Sequence, residues 1–164
     1  MITAICPGSF DPVTLGHVDI IRRASDMFDR VIVAVLCNAK KTPAFSVEER
    51  MEMIRKVTRD IPNVEVGTFD GLLAEYAKQQ NATVLVKGLR AVSDFEYEFQ
   101  MALANRKLNP ALETVFITAK AENMYLASSI VKEIARGGGK IDDFVPEAVR
   151  EQIEQRLCKK GERL

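Results

Sequence analysis

Tryptophan is absent from this chain, histidine occurs once and cysteine three times. A single imidazole cannot build a histidine-rich metal cage. Cys6, Cys37 and Cys158 are odd in number, far apart and without a histidine at ligand spacing, which argues against both a disulfide framework and a zinc site. They read as small buried apolar residues, with Cys158 an incidental surface thiol. An excess of either charge is also missing: 23 Lys plus Arg stand against 23 Asp plus Glu. No whole-molecule field is available to draw in a nucleic-acid backbone or an anionic membrane, so any anion binding must be local. No apolar run approaches membrane-spanning length, and Met1 leads straight into a strand-like run with no basic region or cleavage site. The expectation is an unprocessed cytoplasmic protein with neither a nucleic-acid nor a membrane partner. Neither a Walker A sequence nor G-x-G-x-x-G occurs, which excludes the P-loop and the ordinary dinucleotide fingerprint.

What is present is an alternation. At 164 residues and 47% hydrophobic composition the chain suits one well-buried core, a single domain over residues 1–164. Short β-branched runs at 2–6, 31–36, 64–66, 83–86 and 114–118 are nearly continuously apolar, as in a parallel sheet covered on both faces. Amphipathic segments separate them. Val18, Ile21, Ala24 and Phe28 recur at helical spacing. Ser46 with Glu49 forms a capping box ahead of Val47, Met51 and Ile54, and Ser93 with Glu96 repeats it ahead of Phe95, Phe99 and Ala102. Ser128 and Ser129 read as caps before Ile130, Val131, Ile134 and Ala135, a helix stopped by the glycines at 137–139. Pro146 suits the first turn of a last helix whose inward face is Val149, Ile153 and Leu157. The pattern predicts an α/β, doubly wound, Rossmann-like domain with a five-stranded parallel sheet and a C-terminal helix packed on it.

Such sheets bind ligands outside the carboxyl ends of their strands. The loop after the first run, residues 7–17, delivers Gly16 and His17 to a helix start, where free amides and the helix dipole favour a phosphate. Asn38, Lys40 and Lys41 follow the second run. Lys87, Gly88, Leu89 and Arg90 follow the fourth, and Tyr125, Leu126, Ala127, Ser128 and Ser129 precede the fifth helix. Four loops thus bring anion donors to one edge.

Gly8-Ser9-Phe10-Asp11-Pro12 with Thr14-Leu15-Gly16-His17, Lys87-Gly88-Leu89-Arg90-Ala91, Phe95-Glu96-Tyr97-Glu98 and Ser128-Ser129-Ile130-Val131-Lys132 together resemble the nucleotidyltransferases marked by a histidine-x-glycine-histidine loop. More narrowly they are similar to the phosphopantetheine adenylyltransferase family, in which Thr14 in place of the first histidine is usual. The resemblance implies transfer of the adenylyl group of ATP to 4'-phosphopantetheine, giving dephospho-coenzyme A and pyrophosphate. It assigns ATP contacts to Ser9, Phe10, His17, Gly88, Leu89, Arg90, Glu98, Asn123, Met124, Tyr125, Leu126, Ala127, Ser128 and Ser129, and phosphopantetheine contacts to Ser9, Lys41, Leu73 and Lys87. His17, Lys41, Arg90, Ser128 and Ser129 would carry the catalysis. It further implies Mg2+ with ATP, a homohexamer, and feedback inhibition by coenzyme A; no carboxylate cluster must hold the metal by protein contacts alone, so most of its ligands would be phosphate and water. Ser9 stands where threonine is common and keeps the hydroxyl. Lys87 stands where arginine is common and loses the bidentate fork.

Plainer readings apply to several of these residues. His17 alone would fit a capping residue, and Lys40 with Lys41 a solvated pair, as the basic ending Lys159, Lys160 and Arg163 still reads. Asp11 before Pro12 fits turn chemistry. Phe95, Tyr97 and Phe99 fit core and interface packing. Rival functions are nicotinamide mononucleotide adenylyltransferase, a small-alcohol phosphate cytidylyltransferase, and a nucleotide-sensing module without chemistry.

Overall fold

The computed structural model describes residues 1–38 and 42–158. The alternation resolves into strands β1 (Thr3–Gly8), β2 (Arg30–Leu36), β3 (Val64–Phe69), β4 (Val84–Leu89) and β5 (Glu113–Thr118), and helices α1 (Leu15–Met27), α2 (Val47–Thr58), α3 (Leu73–Gln79), α4 (Val92–Leu108), α5 (Ser128–Arg136) and α6 (Glu147–Leu157). All strand pairings are parallel, in the order β3-β2-β1-β4-β5. This is the doubly wound, Rossmann-like arrangement, with the winding reversing between β1 and β4.

Each strand sends alternate residues to opposite faces, and each face has its own core. Ala4, Cys6, Val31, Val33 and Val35 meet Ile21, Ala24, Met53, Ile54, Val131, Val149 and Ile153 on one side. Ile5, Ile32, Ala34 and Leu85 meet Ala74, Ala77 and Leu112 on the other. The near-continuous apolar runs follow from that double covering. Helix α6 lies against α2 through buried Val149, Ile153 and Leu157. Arg156 fastens it, donating to the Ala44 carbonyl at 2.9 Å, pairing with Glu49 and covering the Phe45 ring.

Local signals were obeyed unevenly. The Ser46–Glu49 capping box forms as read. The second one does not: α4 starts at Val92 behind Ala91, with no side-chain cap, so Ser93 and Glu96 already lie inside the helix. Ser128 and Ser129 are likewise inside α5, whose N-cap is Ala127. Pro146 is the N-cap of α6 rather than its first residue. Gly137 caps α5 and Gly138 takes the left-handed turn at φ 80°. Phe95 and Phe99 touch each other and Phe95 touches Phe116, yet they stay 40% and 46% exposed, and only Asn105 of α4 is buried. Cys6 is buried and Cys158 half-buried, but Cys37 is exposed beyond the end of β2. Lys40, Lys41, Lys159, Lys160 and Arg163 lie outside the described residues. Among the described residues, no helix is long and apolar enough to cross a membrane.

Ile153 is fully buried on α6. Ile153→Ala is expected to lower unfolding free energy by about 2–5 kcal/mol, the cost of a core cavity. Chemical denaturation of the two proteins measures it. An effect within the ordinary surface range, roughly 0.5 kcal/mol, would mean that α6 does not belong to the cooperative core.

Candidate active site

Strand β1 pairs with β2 over its whole length, from Thr3 opposite Arg30 to Gly8 opposite Val35. Against β4 it pairs only at Ala4–Val84 and Ile5–Leu85. Beyond that point the two strands part, and the gap is a cleft of about 300 Å³ lined by Cys6 and Pro7 on one side and Val86, Lys87 and Gly88 on the other. Helix α1 forms its floor. A Cβ on Gly88 would come within 3.1 Å of Ile20, so glycine there lets α1 pack close under β4.

Of the residues expected to bind ATP, the cleft gathers Phe10, His17, Gly88, Arg90, Glu98, Asn123, Leu126, Ala127 and Ser128, together with the expected substrate ligand Lys87. Ser9 lines a neighbouring cavity of about 180 Å³, which shares Ser128 with the cleft. Leu89 ends β4, its carbonyl accepting from Ala119 at 2.7 Å. Met124 and Tyr125 are about half exposed, with Tyr125 edge-on to Phe144. Ser129 is exposed on the first turn of α5. Leu73 starts α3 and packs on the opposite-face core, outside both cavities. Lys41 falls in the segment that is not described.

His17 is both cap and site residue. Thr14 caps α1 by accepting from the His17 amide, while the His17 ring reaches back to the Thr14 amide, with Nδ1 at 3.0 Å. An amide can only donate, so Nδ1 must be the unprotonated ring nitrogen and the proton sits on Nε2. Burial, and then the Arg90 charge, push the imidazole pKa down to about 4. The ring is therefore a neutral Nε2–H donor at physiological pH. Phe10 braces it edge-on with ring centroids 4.9 Å apart. Phe10 itself sits at φ 50°, a left-handed backbone unusual for a bulky residue, and its burial in the core holds it there. In the first turn of α1 the Leu15 amide goes to the Phe144 carbonyl and those of His17 and Val18 go to Thr14. Among the described residues that leaves the Gly16 amide as the donor of the turn without a partner. A Cβ on Gly16 would make ordinary contacts with Thr14 Oγ1 at 3.6 Å and with Asn123 and Leu126 at 3.8 Å, so glycine leaves that small volume beside the amide unfilled.

The cations are held by carboxylates. Lys87 pairs with Glu98 at 3.3 Å and Arg90 with Asp94 at 3.3 Å, and Arg90 also donates to the Leu126 carbonyl at 2.9 Å. That last bond fixes the guanidinium beneath the loop before α5. Ser128 donates its hydroxyl proton to the Pro12 carbonyl at 2.7 Å. Its side chain thus ties α5 to the first loop, and the donors that α5 offers an anion are its unpaired first-turn amides. Burial pushes the Cys6 thiol up to about 12, which leaves no thiolate in the cleft. Among the described residues no group of three or more His, Cys, Asp or Glu could hold a metal ion.

Two buried charged residues were not read from the sequence as site residues. Asp11 does more than shape a turn: its carboxylate accepts from the amides of Ala44 and Phe45 and from Lys132. Burial raises its pKa, but the Ala44 amide, Lys132 and the Phe45 amide outweigh that and hold it below the ordinary aspartate value. Arg50, on the apolar stripe of α2, is 3% exposed and donates only to carbonyls. A charge at an apolar-stripe position was the available signal for Arg50. Asp11 lies in the Gly8-Ser9-Phe10-Asp11-Pro12 motif, but its partners are 33 or more residues away, so its tie to them was not readable.

His17 is the chain's single histidine, so its ring resonances are free of overlap. Ring nitrogen NMR is expected to find the neutral Nε2–H tautomer from pH 8 to pH 6, with protonation near pH 4. In the stability balance, the unfolded ring takes up its proton near pH 6.5 and the folded ring only near pH 4. The native state therefore loses His17-linked stability as pH falls through that window. A titration midpoint near 6.5 in the folded protein would contradict the Thr14–His17 arrangement.

Comparison with known proteins agrees with this geometry. A cytidylyltransferase-like family model matches residues 5–134. The phosphopantetheine adenylyltransferase of Caldanaerobacter subterraneus subsp. tengcongensis is 58% identical over 97% of this chain and 99% of its own. That of Clostridium tetani is 53% identical over 98% of each. A crystal structure from Vibrio parahaemolyticus assigned as a nicotinate-nucleotide adenylyltransferase superposes with a TM-score of 0.67 over 96% of this chain and 99% of its own; at 18% identity it speaks for the fold alone. The near full-length identity, with Thr14 capping His17 at the strand-parting cleft, means that this chain belongs to the phosphopantetheine adenylyltransferase family.

Proposed function

We propose that the chain catalyses adenylyl transfer from ATP to 4'-phosphopantetheine, with dephospho-coenzyme A and pyrophosphate as products. The observation that carries the reading is the neutral His17 Nε2–H donor at the switch-point cleft, set among anion donors from separate loops. The acceptor already carries its nucleophile as a phosphate oxygen. That oxygen attacks the α-phosphorus, the bridge to the β-phosphate breaks, and pyrophosphate leaves with the bonding electrons. No side chain need be activated, and the buried Cys6 thiol is unsuited to the task. Catalysis then rests on alignment and on charge stabilisation.

His17 donates to the α-phosphoryl oxygen as charge grows there, and the Gly16 amide supports the same group. Arg90 and the first-turn amides at Ser128 and Ser129 hold the β- and γ-phosphates. Ser9 and Lys41 take the acceptor phosphate, with Lys87 exchanging Glu98 for it and Leu73 meeting the pantetheine arm. Asn123 to Ala127, with Phe10, Gly88, Leu89 and Glu98, enclose the nucleoside. Mg2+, carried in on ATP, would neutralise triphosphate charge. The carboxylates lining the cleft and its neighbour, Glu98 and Asp11, are engaged with lysines, so phosphate and water fit as most of its ligands. Coenzyme A shares the pantetheine arm and would compete for it. The exposed apolar residues of α4, among them Val92, Tyr97 and Leu103, support a homohexamer in which they are covered. A cytoplasmic location follows from the activity.

Pyrophosphate release with phosphopantetheine, nicotinamide mononucleotide or glycerol phosphate as acceptor tests the reading. Only phosphopantetheine should support turnover. Release that needs no acceptor, or that prefers another one, would overturn it. His17→Ala should lower single-turnover chemistry by roughly two to three orders of magnitude, the usual loss for one preorganised donor to a developing oxyanion. ATP affinity should change much less, since the other donors remain. A folded variant with near-normal chemistry would reduce His17 to a cap.

A further inference from the structure

Asp11 joins three segments that the reaction must keep in register. Its Oδ1 accepts from the Phe45 amide at 2.9 Å, and its Oδ2 from the Ala44 amide and from Lys132 Nζ, each at 3.0 Å. Ala44 and Phe45 end the β2–α2 connection. Lys132 lies one turn after Ser128 on α5. Asp11 itself directly follows Ser9 and Phe10. Arg50 secures the same connection from below, donating to the carbonyls of Leu36 at 3.2 Å, where it begins, of Phe45 at 3.1 Å, where it ends, and of Ser9 at 2.7 Å. Asp11, Arg50, Lys132, Ser9 and Ser128 line the smaller cavity beside the cleft.

We propose that Asp11 is a positioning residue for the transfer, fixing the acceptor-side loop that carries Ser9 relative to the α5 terminus that holds the departing phosphates. This rests on the adenylyl-transfer reading above. In-line displacement puts the acceptor oxygen and the leaving oxygen on opposite sides of one phosphorus, so the elements holding them must keep a set distance. A misplacement of about 1 Å can cost roughly 100-fold. A carboxylate taking two amides and an ammonium is a stiff junction, because charge-assisted bonds are short and a buried charge left half-paired is costly. Asparagine has the same shape but only one acceptor atom, and it would turn an amide donor toward Lys132 or a backbone N–H.

The test compares wild type, Asp11→Asn, Lys132→Gln and the double variant in the full chain. Calorimetry gives ATP affinity and the fraction of competent sites, and steady-state kinetics with each substrate varied gives turnover per competent site. Asp11→Asn is expected to bind ATP within about threefold of wild type, while kcat/KM for phosphopantetheine falls roughly 10- to 100-fold. The double variant should recover part of that loss, since Lys132 is no longer left without its partner. Normal kcat and KM per competent site, with only a lowered Tm, would make Asp11 a purely structural residue and overturn the proposal, as would equal losses in ATP affinity and phosphopantetheine use. Should Asp11→Asn fail to fold, Lys132→Gln carries the test, with a smaller loss in the same direction expected and no change overturning it. Wild-type protein inert toward phosphopantetheine overturns the underlying reading instead, and is recognised before any variant is compared.

Discussion

The parting of β1 from β4 is the constraint from which the site follows. Two paired positions hold the strands together at their start, and among the described residues their pairing does not continue past Ile5 and Leu85. Winding reverses there, so the helix after β1 and the helix after β4 cover opposite faces and leave the gap uncovered. Whatever follows either strand is delivered to that gap. The first loop brings Phe10, Thr14 and His17, the fourth strand brings Lys87 and Arg90, and the approach to α5 closes over both. A third or fourth pair between β1 and β4 would replace the cleft with sheet.

Within that gap the local chemistry is arranged to fix a neutral donor. Thr14 does two things at once: its hydroxyl caps α1, and its amide takes the Nδ1 lone pair of His17. The proton is thereby fixed on Nε2. Burial disfavours a charged imidazole first and the facing Arg90 charge adds to it, and that is the physical sense of the depressed pKa. The helix cap and the proposed catalyst are one feature, so the capping role seen here is compatible with the proposed one. The cations are treated differently. Lys87 and Arg90 rest on Glu98 and Asp94, carboxylates one helical turn apart on α4. A phosphate entering the cleft competes with carboxylates already in place, which moderates ground-state binding and leaves more of the interaction to the transferring group.

The reach of the sequence can be judged residue by residue. The five strands were legible because both faces are covered, so the runs stay apolar and only their ends were misjudged by a residue or a few. The Ser46 cap was legible because its partner lies three residues away. Ser93 with Glu96 presents the same spacing and failed, because α4 begins behind Ala91 and draws Ser93 into its first turn. The apolar residues of α4 could not be assigned to a core from their types alone, since the chain leaves most of them uncovered. His17, Lys87, Gly88, Arg90 and Ser128 were legible as candidates from the loops at the strand ends, Ser9 and Phe10 only from motif resemblance, and the fold brings them to one edge. Asp11 was missed as an organiser because its bonds run to residues distant in the sequence, while Arg50 carried a local signal in its place on the apolar stripe of α2 but none for its bonds to Ser9 and Leu36.

The central claim is that this chain works by alignment and charge stabilisation, with the acceptor phosphate oxygen itself attacking the α-phosphorus and no protein group taking the adenylyl moiety on the way. A single displacement inverts the configuration at phosphorus, whereas passage through an adenylyl-enzyme requires two displacements and retains it. Adenosine 5'-O-(1-thiotriphosphate) of one α-phosphorus configuration, turned over with phosphopantetheine, makes the difference readable in the dephospho-coenzyme A analogue by phosphorus NMR. The account predicts inversion. Retention would contradict it, and would require a nucleophile in the cleft that the neutral His17 and the un-ionised Cys6 do not supply.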